Sequence, residues 1–264
     1  MSKDRFKRER IHDKNMKTII IRLDYSGVSN GGELVSLFDK RFPSSFKKRE
    51  ERFNRDINIS FRREDLEVIS KTLSLPVSVI EKEKTMRYVG MKNVACNTIL
   101  DISQYYLCMT IECENNYDGL DKYVECFKGA ITVFKDKIDY FCPRRLGLRK
   151  VRVEHKTTLK EFEEVFEDFV YKVPDYGMNK VMVRGTEYID VIELEDKLRF
   201  NIRGKINSTD KPEGYLSSLD IDAYFNGEFL ASADINSLLT RANLQEFEIY
   251  KACMKEKYLE SIFK

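Results

Sequence analysis

Residues 142–154, CPRRLGLRKVRVE, combine basic side chains with the apolar spacing of a strand. Five of these thirteen residues are Lys or Arg. On a strand, Arg145 and Arg149 lie on one face, on either side of Gly147. Two guanidinium groups on either side of a glycine, which has no side chain, can hold a phosphate or a carboxylate. The segment therefore predicts an anion-binding or nucleic-acid-binding site that uses Arg145, Arg149 and Arg152.

A structural role for the same arginines is the alternative, and it is the interpretation that we favour. The arginines would then pair with acidic residues, such as Asp118 or Asp121 on the neighbouring helix. The apolar residues of the segment change face between Leu148 and Val151. We therefore predict a β-bulge at residues 149–150, because one extra residue restores the register.

A second basic segment, residues 40–63, interleaves Lys and Arg with Phe. Basic groups that follow phosphates and rings that stack on bases suit single-stranded nucleic acid. The candidate contacts are Lys47, Lys48, Arg49 and Arg52. No RNA-binding motif surrounds them, so we favour a solvated loop or a protein-binding surface.

Two carboxylates, Asp220 and Asp222, share a strand face and are the weak candidates for a metal site. We favour their pairing with the Arg-rich strand or exposure to water. The six cysteines form no CxxC pair and only two histidines accompany them, so zinc spacing is missing. Residues 27–32, GVSNGG, lack the Lys and Ser/Thr of a phosphate loop and predict a helix cap. We expect no catalytic residue, no metal and no cofactor.

Hydrophobic periodicity predicts the elements that position these residues. The predicted strands are 16–26, 56–62, 85–93, 99–113, the Arg-rich strand, two or three strands within 179–207, and 215–229. A tight turn is predicted near Glu195–Lys197. The predicted helices are 29–42, capped by Asn30 or Ser29, then 117–138, 157–171 and 232–263, the last capped by Ser232. Residues 64–74 fit a strand or a short helix.

The order of these elements predicts an α+β fold. Regular βαβ alternation and a dinucleotide glycine motif are missing from the sequence, so we expect mainly antiparallel sheets. Two related segments, ILDISQYYL and SLDIDAYF, each lie in a strand that precedes a long helix. We predict two βββα-like halves, residues 1–155 and 156–264, each with a sheet packed by long helices.

The chain resembles a sporadically distributed family of uncharacterised bacterial and archaeal proteins of similar length. The distinctive residues are RLGLR at 145–149, the strand motif of that family, and LDID at 219–222. The sequence departs from the family pattern where Lys150, Val151 and Arg152 replace an aromatic residue and Asn. The resemblance implies no catalytic residues, and it implies mobile or defence-associated gene neighbourhoods.

The composition limits the kinds of site and the location that the protein can have. The net charge of +2 over 264 residues means that any basic site must be local. No apolar run approaches the roughly 20 residues of a membrane span, and the run after the basic N-terminus is too short for a signal peptide. We therefore expect a cytoplasmic protein without membrane contact.

These observations lead to a hypothesis and two alternatives. The leading hypothesis is a non-enzymatic interaction protein, an accessory or regulator of a prokaryotic system such as phage defence. Its partner would be another protein or a second copy, because the helices are rich in Phe and Tyr. The first alternative is a nucleic-acid-binding or nucleotide-binding protein, including a nuclease, that uses residues 40–63 and 144–152. The second alternative is a small-ligand sensor with a pocket between the halves.

Overall fold

The computed structural model describes residues 3–6, 15–42, 44–59, 77–114, 117, 119–172, 184–210 and 212–262. This part of the chain forms nine strands: β1 Met16–Ser26, β2 Phe46–Ile59, β3 Val77–Met91, β4 Asn97–Ile102, β5 Tyr106–Glu112, β6 Cys142–Lys156, β7 Gly185–Glu193, β8 Leu198–Asp210 and β9 Glu213–Asn226. It also forms four α-helices: α1 Gly31–Arg41, α2 Asp121–Lys137, α3 Ile235–Cys253 and α4 Glu256–Ile262. Three short 3₁₀ turns are Lys3–Arg5, Lys160–Glu164 and Glu228–Ala231. None of the described helices is long and apolar enough to cross a membrane.

All nine strands belong to one antiparallel sheet with the order β2-β3-β4-β5-β1-β6-β9-β8-β7. The meander β2–β5 returns beside β1, and the meander β7–β9 returns beside β6. The α+β class and the mainly antiparallel sheet are thereby confirmed. The sheet is continuous across its centre, where β1 pairs with β6. The predicted division at residues 155–156 falls at the end of β6 and stays a prediction.

The core lies on one face of this sheet. Along β1, Ile19, Ile21 and Leu23 are fully buried, while Arg22 and Asp24 point to the opposite face and are partly exposed. The same alternation runs through β9. The helices supply the other half of the core, because α1, α2 and α3 each bury their apolar stripe. An antiparallel sheet that packs on the core with one face and meets solvent with the other is expected to alternate buried and exposed residues along each strand.

The strand β6 carries no bulge at residues 149–150. It pairs with β9 in an unbroken register from Arg145 to Lys156, so the predicted bulge is wrong. The buried face that holds Leu148 continues through Lys150 and Arg152, which are 3% and 4% exposed. The prediction failed because it assumed that buried strand positions must be apolar.

Two helix predictions also differ from the structure. Residues 157–171 form a 3₁₀ turn and irregular backbone, because Phe166 bridges to Met254 and leaves the helical path. The same bridge separates α3 from α4 within the single helix predicted for residues 232–263. The N-cap of α3 is Asp234, whose side chain accepts from the Asn236 backbone N–H.

The cap predicted for α1 is confirmed, since the Asn30 side chain accepts from the Gly32 backbone N–H at 2.8 Å. The β7–β8 hairpin also has its turn where the sequence predicts it, around Lys197. Both features depend on neighbouring residues alone. The segment 64–74, predicted as a strand or a short helix, lies outside the described residues.

Gly27 gives the first testable prediction. Its φ of +87° disfavours any side chain, and an added Cβ would lie 1.5 Å from the Tyr140 carbonyl oxygen. Gly27→Ala should therefore lower the free energy of unfolding by more than about 2 kcal/mol in urea denaturation. Gly119→Ala is the matched control, because its φ is +96° but nothing lies within 4 Å of the added Cβ. Equal losses for the two variants would contradict the predicted clash.

Candidate functional site

The sheet face opposite the helices is the candidate functional site, and we call it the open face. Within the described part of the chain, the buried apolar residues of the strands and helices lie on the other face. The open face carries half-buried and exposed side chains along β1, β3–β6, β8 and β9. Its charged residues include Arg22, Asp24, Arg87, Asp101, Arg145, Arg149, Asp220 and Asp222.

Arg145 and Arg149 pair with carboxylates of β9. Arg145 Nη2 donates to Asp222 Oδ2 at 2.8 Å. Arg149 donates two hydrogen bonds to the Asp220 carboxylate, from Nε at 2.8 Å and from Nη2 at 2.5 Å. The bidentate geometry is the stronger form of this contact. The antiparallel register of β6 and β9 places the four residues together.

Gly147 makes room for Arg145. A Cβ at this glycine would lie 2.9 Å from Arg145 Nη1, so the guanidinium lies across the bare backbone. From there it reaches Asp222 and stacks over the Tyr224 ring, 4.8 Å from the ring centroid. The Gly147 backbone is thus covered by a side chain of its own strand.

The structure confirms that Asp220 and Asp222 pair with the Arg-rich strand. The observed partners lie on β9, with Asp24 of β1 at 4.0 Å from Arg145, and not on α2, the helix that carries Asp121. Asp118 lies outside the described residues. Among the described residues no group of three or more His, Cys, Asp and Glu is arranged to hold a metal ion.

The pairing pattern extends beyond the centre of the open face. Arg22 Nε donates to Asp24 at 2.7 Å, and its guanidinium lies 4.5 Å from the centroid of the Tyr106 ring. Arg87 makes two hydrogen bonds to Asp101, at 2.6 and 2.7 Å. On β8 and β7 the pairs are Arg199–Glu193 at 3.0 Å and Arg203–Glu187 at 3.2 Å. The charged side chains of the open face are therefore arranged in ion pairs.

Protonation equilibria on the open face reflect this pairing. The hydrogen bonds with Asp220 raise the pKa of Arg149. Burial raises the pKa of Asp222, although the charges of Arg145 and Arg149 lower it in part. Asp220 adds to the increase because a second carboxylate lies nearby. An incoming anion must displace these carboxylates before it can use the arginines.

Arg152 lies on the opposite face from Arg145 and Arg149, so the structure does not bring the three together. Arg152 Nη1 donates to Glu246 Oε1 of α3 at 2.6 Å, and Lys150 Nζ donates to Glu246 Oε2 at 2.7 Å. Lys150 also donates to Asn243 Oδ1 at 2.7 Å. We call these four residues the buried charge cluster.

The buried charge cluster was missed by sequence reasoning, although α3 carried a signal for it. Asn243 and Glu246 fall within the apolar stripe of that helix, between Leu239 and Tyr250. Burial favours the neutral acid, but the Arg152 and Lys150 charges outweigh burial and lower the pKa of Glu246. A polar pair inside an apolar helical stripe therefore marks a buried partner on the facing strand.

Residues 46–59 of the second basic segment form the edge strand β2 and not a loop. Its candidate residues Lys47, Lys48, Arg49 and Arg52 lie near the start of β2. Lys48 pairs with Glu50 at 2.6 Å, and Arg49 pairs with Asp39 of α1. The four basic side chains point alternately to the two faces of the sheet.

Comparisons with known proteins leave the open face without a precedent. No family model, no curated protein and no solved structure matches the chain. The family resemblance of RLGLR therefore stays an expectation. The function has to be inferred from the geometry of the chain itself.

Three of the four arginines of β6, namely Arg145, Arg149 and Arg152, should differ in their structural contribution. Their side chains are 5%, 27% and 45% exposed for Arg152, Arg145 and Arg149. Arg152→Ala should cost about 3–5 kcal/mol because it breaks a buried pair, and Arg149→Ala less than about 1 kcal/mol. Arg145→Ala should lie between them in urea denaturation. If the Arg145 and Arg149 variants unfold like the parent but lose affinity for an anion, the anion-binding hypothesis is correct.

The buried charge cluster predicts a pH-dependent effect. Glu246→Gln should destabilise the fold by roughly 3–5 kcal/mol at pH 7, because Lys150 and Arg152 lose their carboxylate. A carboxyl group with a lowered folded-state pKa stabilises above its unfolded pKa, about 4.3 for Glu. The difference between parent and variant should therefore shrink as the pH falls below that value. Glu125→Gln is the control, since Glu125 lies at an exposed position of α2. A pH-independent difference in urea denaturation would refute the prediction.

Proposed function

We propose that the protein is a non-enzymatic interaction protein that binds a partner protein through the open face. In the cell it would act as an accessory or regulatory component of a prokaryotic system such as phage defence, in the cytoplasm. The observation that supports the proposal is a nine-stranded sheet whose helices pack on one face while the other carries paired charges. The cellular setting comes from the family resemblance alone.

The area of the open face suits a protein partner. With strands about 4.8 Å apart and roughly 20 Å of each strand on the face, nine strands present on the order of 900 Å². A stable interface buries about 800 Å² of each partner. The open face is therefore large enough for one complete interface.

The chemistry of the open face also suits a protein partner. Arginine and tyrosine are enriched at protein interfaces. Here Arg22 stacks on Tyr106 and Arg145 stacks on Tyr224. These guanidinium groups are already held in place, so binding orders fewer side chains.

We further propose that residues 1–155 and 156–264 form two related halves. The strand order supports this proposal, because each half contains an antiparallel meander, β2–β5 in the first and β7–β9 in the second, and the halves meet where β6 pairs with β9. The meander β2–β5 precedes α2, and the meander β7–β9 precedes α3. A partner at the centre of the open face would then contact both halves.

Nucleic-acid binding, including a nuclease, remains the second candidate. Arginines beside tyrosines on an open sheet are the kind of surface on which bases stack. Arg145, Arg149 and the β2 residues Lys48 and Arg52 would supply the phosphate contacts. The carboxylates beside these basic residues disfavour nucleic-acid binding, since they repel phosphate.

The experiment compares tagged protein isolated from its native host with two double variants. Thr18→Arg with Thr110→Arg adds two bulky cations at the centre of the open face, where both threonines are half-buried. Thr132→Arg with Thr240→Arg makes the same substitutions at exposed positions on α2 and α3. We expect a stoichiometric protein partner with the parent and with the helix variant, and its loss with the open-face variant.

The other outcomes separate the hypotheses. Nucleic acid that copurifies with the parent and is lost steeply with added salt supports the second candidate. A partner retained equally by both double variants refutes binding through the open face. Urea denaturation of each variant checks that a lost partner does not reflect lost folding.

A further inference from the structure

The edge strand β7 lacks Lys, Pro and a bulge, three features that commonly protect sheet edges, although it carries acidic residues. Its sequence GTEYIDVIE contains no Pro, Lys or Arg, and its register with β8 is unbroken. In the described part of the chain it pairs with β8 alone. Exposed edges usually carry Lys, Pro or a bulge, because free N–H and C=O groups otherwise recruit another strand.

The opposite edge, β2, has these protective features. It begins with Lys47, Lys48 and Arg49, and its pairing with β3 shifts register between Asn54 and Arg55. The two edges of one sheet thus differ in sequence and in regularity. This contrast identifies β7 as the edge that is open to pairing.

Exposed apolar side chains also concentrate at β7. Ile189 is 54% exposed and Val191 is 67% exposed, and both lie on the open face. On the other side of the strand, Phe169 is 57% exposed and packs against the Tyr188 ring. Seven large apolar residues of the described chain are at least 41% exposed, and three of them lie at this edge. The edge therefore offers apolar contacts as well as hydrogen bonds.

The charge of β7 indicates the kind of strand that fits it. The strand contains Glu187, Asp190 and Glu193 and no basic residue. Arg203 and Arg199 of β8 contact Glu187 and Glu193 from the side away from the free edge. Pairing with a second β7 would bring two acidic strands together, which is unfavourable. A strand with Lys or Arg opposite these carboxylates is the complementary partner.

We propose that β7 docks an extended strand of a partner protein, which becomes the tenth strand of the sheet. The docked strand runs antiparallel to β7, with Lys or Arg opposite Glu187 and Glu193. Branched aliphatic residues lie opposite Ile189 and Val191. Main-chain hydrogen bonds supply affinity and the alternating side chains supply specificity. This edge site goes beyond the contact proposed for the centre of the open face.

The probe is a fluorescein-labelled peptide, Lys-Thr-Val-Thr-Ile-Thr-Lys, with a capped C-terminus. Paired antiparallel, its lysines meet Glu193 and Glu187, and its Val and Ile meet Val191 and Ile189. Fluorescence polarisation should show saturable binding to the full-length protein, weaker by at least about tenfold for Val191→Lys. Leu244→Lys is the matched control, because Leu244 is 47% exposed on α3, away from the edge.

Two further measurements make the test specific to strand pairing. The double variant Glu187→Lys with Glu193→Lys should prefer the peptide Glu-Thr-Val-Thr-Ile-Thr-Glu over the lysine peptide. Hydrogen exchange of the backbone amides in residues 185–193 should slow when the lysine peptide binds the parent protein. The urea midpoint of each variant confirms that it is folded.

The proposal is overturned if the parent does not bind the lysine peptide. It is also overturned if a peptide with the same residues in a non-alternating order binds equally well. A dimer of the protein alone that Ile189→Lys dissociates would assign the edge to a second copy. None of these results depends on the double variant at Thr18 and Thr110, so the edge and the open face are tested separately.

Discussion

The carboxylate of Glu246, buried between Lys150 and Arg152, is the interaction on which the arrangement of helix and sheet depends. Two cations on the core side of a central strand are costly unless a fixed anion meets them. Among the described residues α3 supplies that anion, and a rotation of α3 by one residue, about 100°, would carry Glu246 away from both cations. Apolar contacts tolerate small shifts between a helix and a sheet, but this contact does not. The buried charge cluster therefore fixes the register of α3 against β6, and the sheet centre with it.

The strand β6 shows why a basic sequence need not make a basic surface. Its cations are divided by the period of the strand: Lys150 and Arg152 enter the core, while Arg145 and Arg149 point to the open face. Each side then supplies its own carboxylates, from α3 on one face and from β9 on the other. On the open face two carboxylates balance Arg145 and Arg149, while in the core the single carboxylate of Glu246 meets both Lys150 and Arg152. What remains on the open face is a pattern of oriented hydrogen-bonding groups, which under the proposed function would select a partner by geometry more than by net charge.

The features that the sequence predicted correctly are those that neighbouring residues decide. The Asn30 cap, the alternation of β1 and the turn near Lys197 each require only a few adjacent residues. The errors arose from partners that are remote in sequence. The interior position of Arg152 depends on Glu246, 94 residues away, and the missing helix at 157–171 depends on the bridge to Met254. The pairing of Asp220 and Asp222 with β6 was predictable, because alternation in two strands is enough to match opposite charges.

The open face and the β7 edge would recognise partners by different physical means. The open face offers side-chain charges that are already paired, so a partner must replace each contact that it removes, and its binding should be selective and sensitive to salt. The edge offers backbone groups and branched side chains, which any extended strand of suitable pattern can meet. Ile189 and Val191 belong to both surfaces, because they lie on the edge strand and point to the open face. A partner that pairs with β7 can therefore extend onto the open face without leaving the sheet, and the two contacts would then reinforce each other through one connected interface.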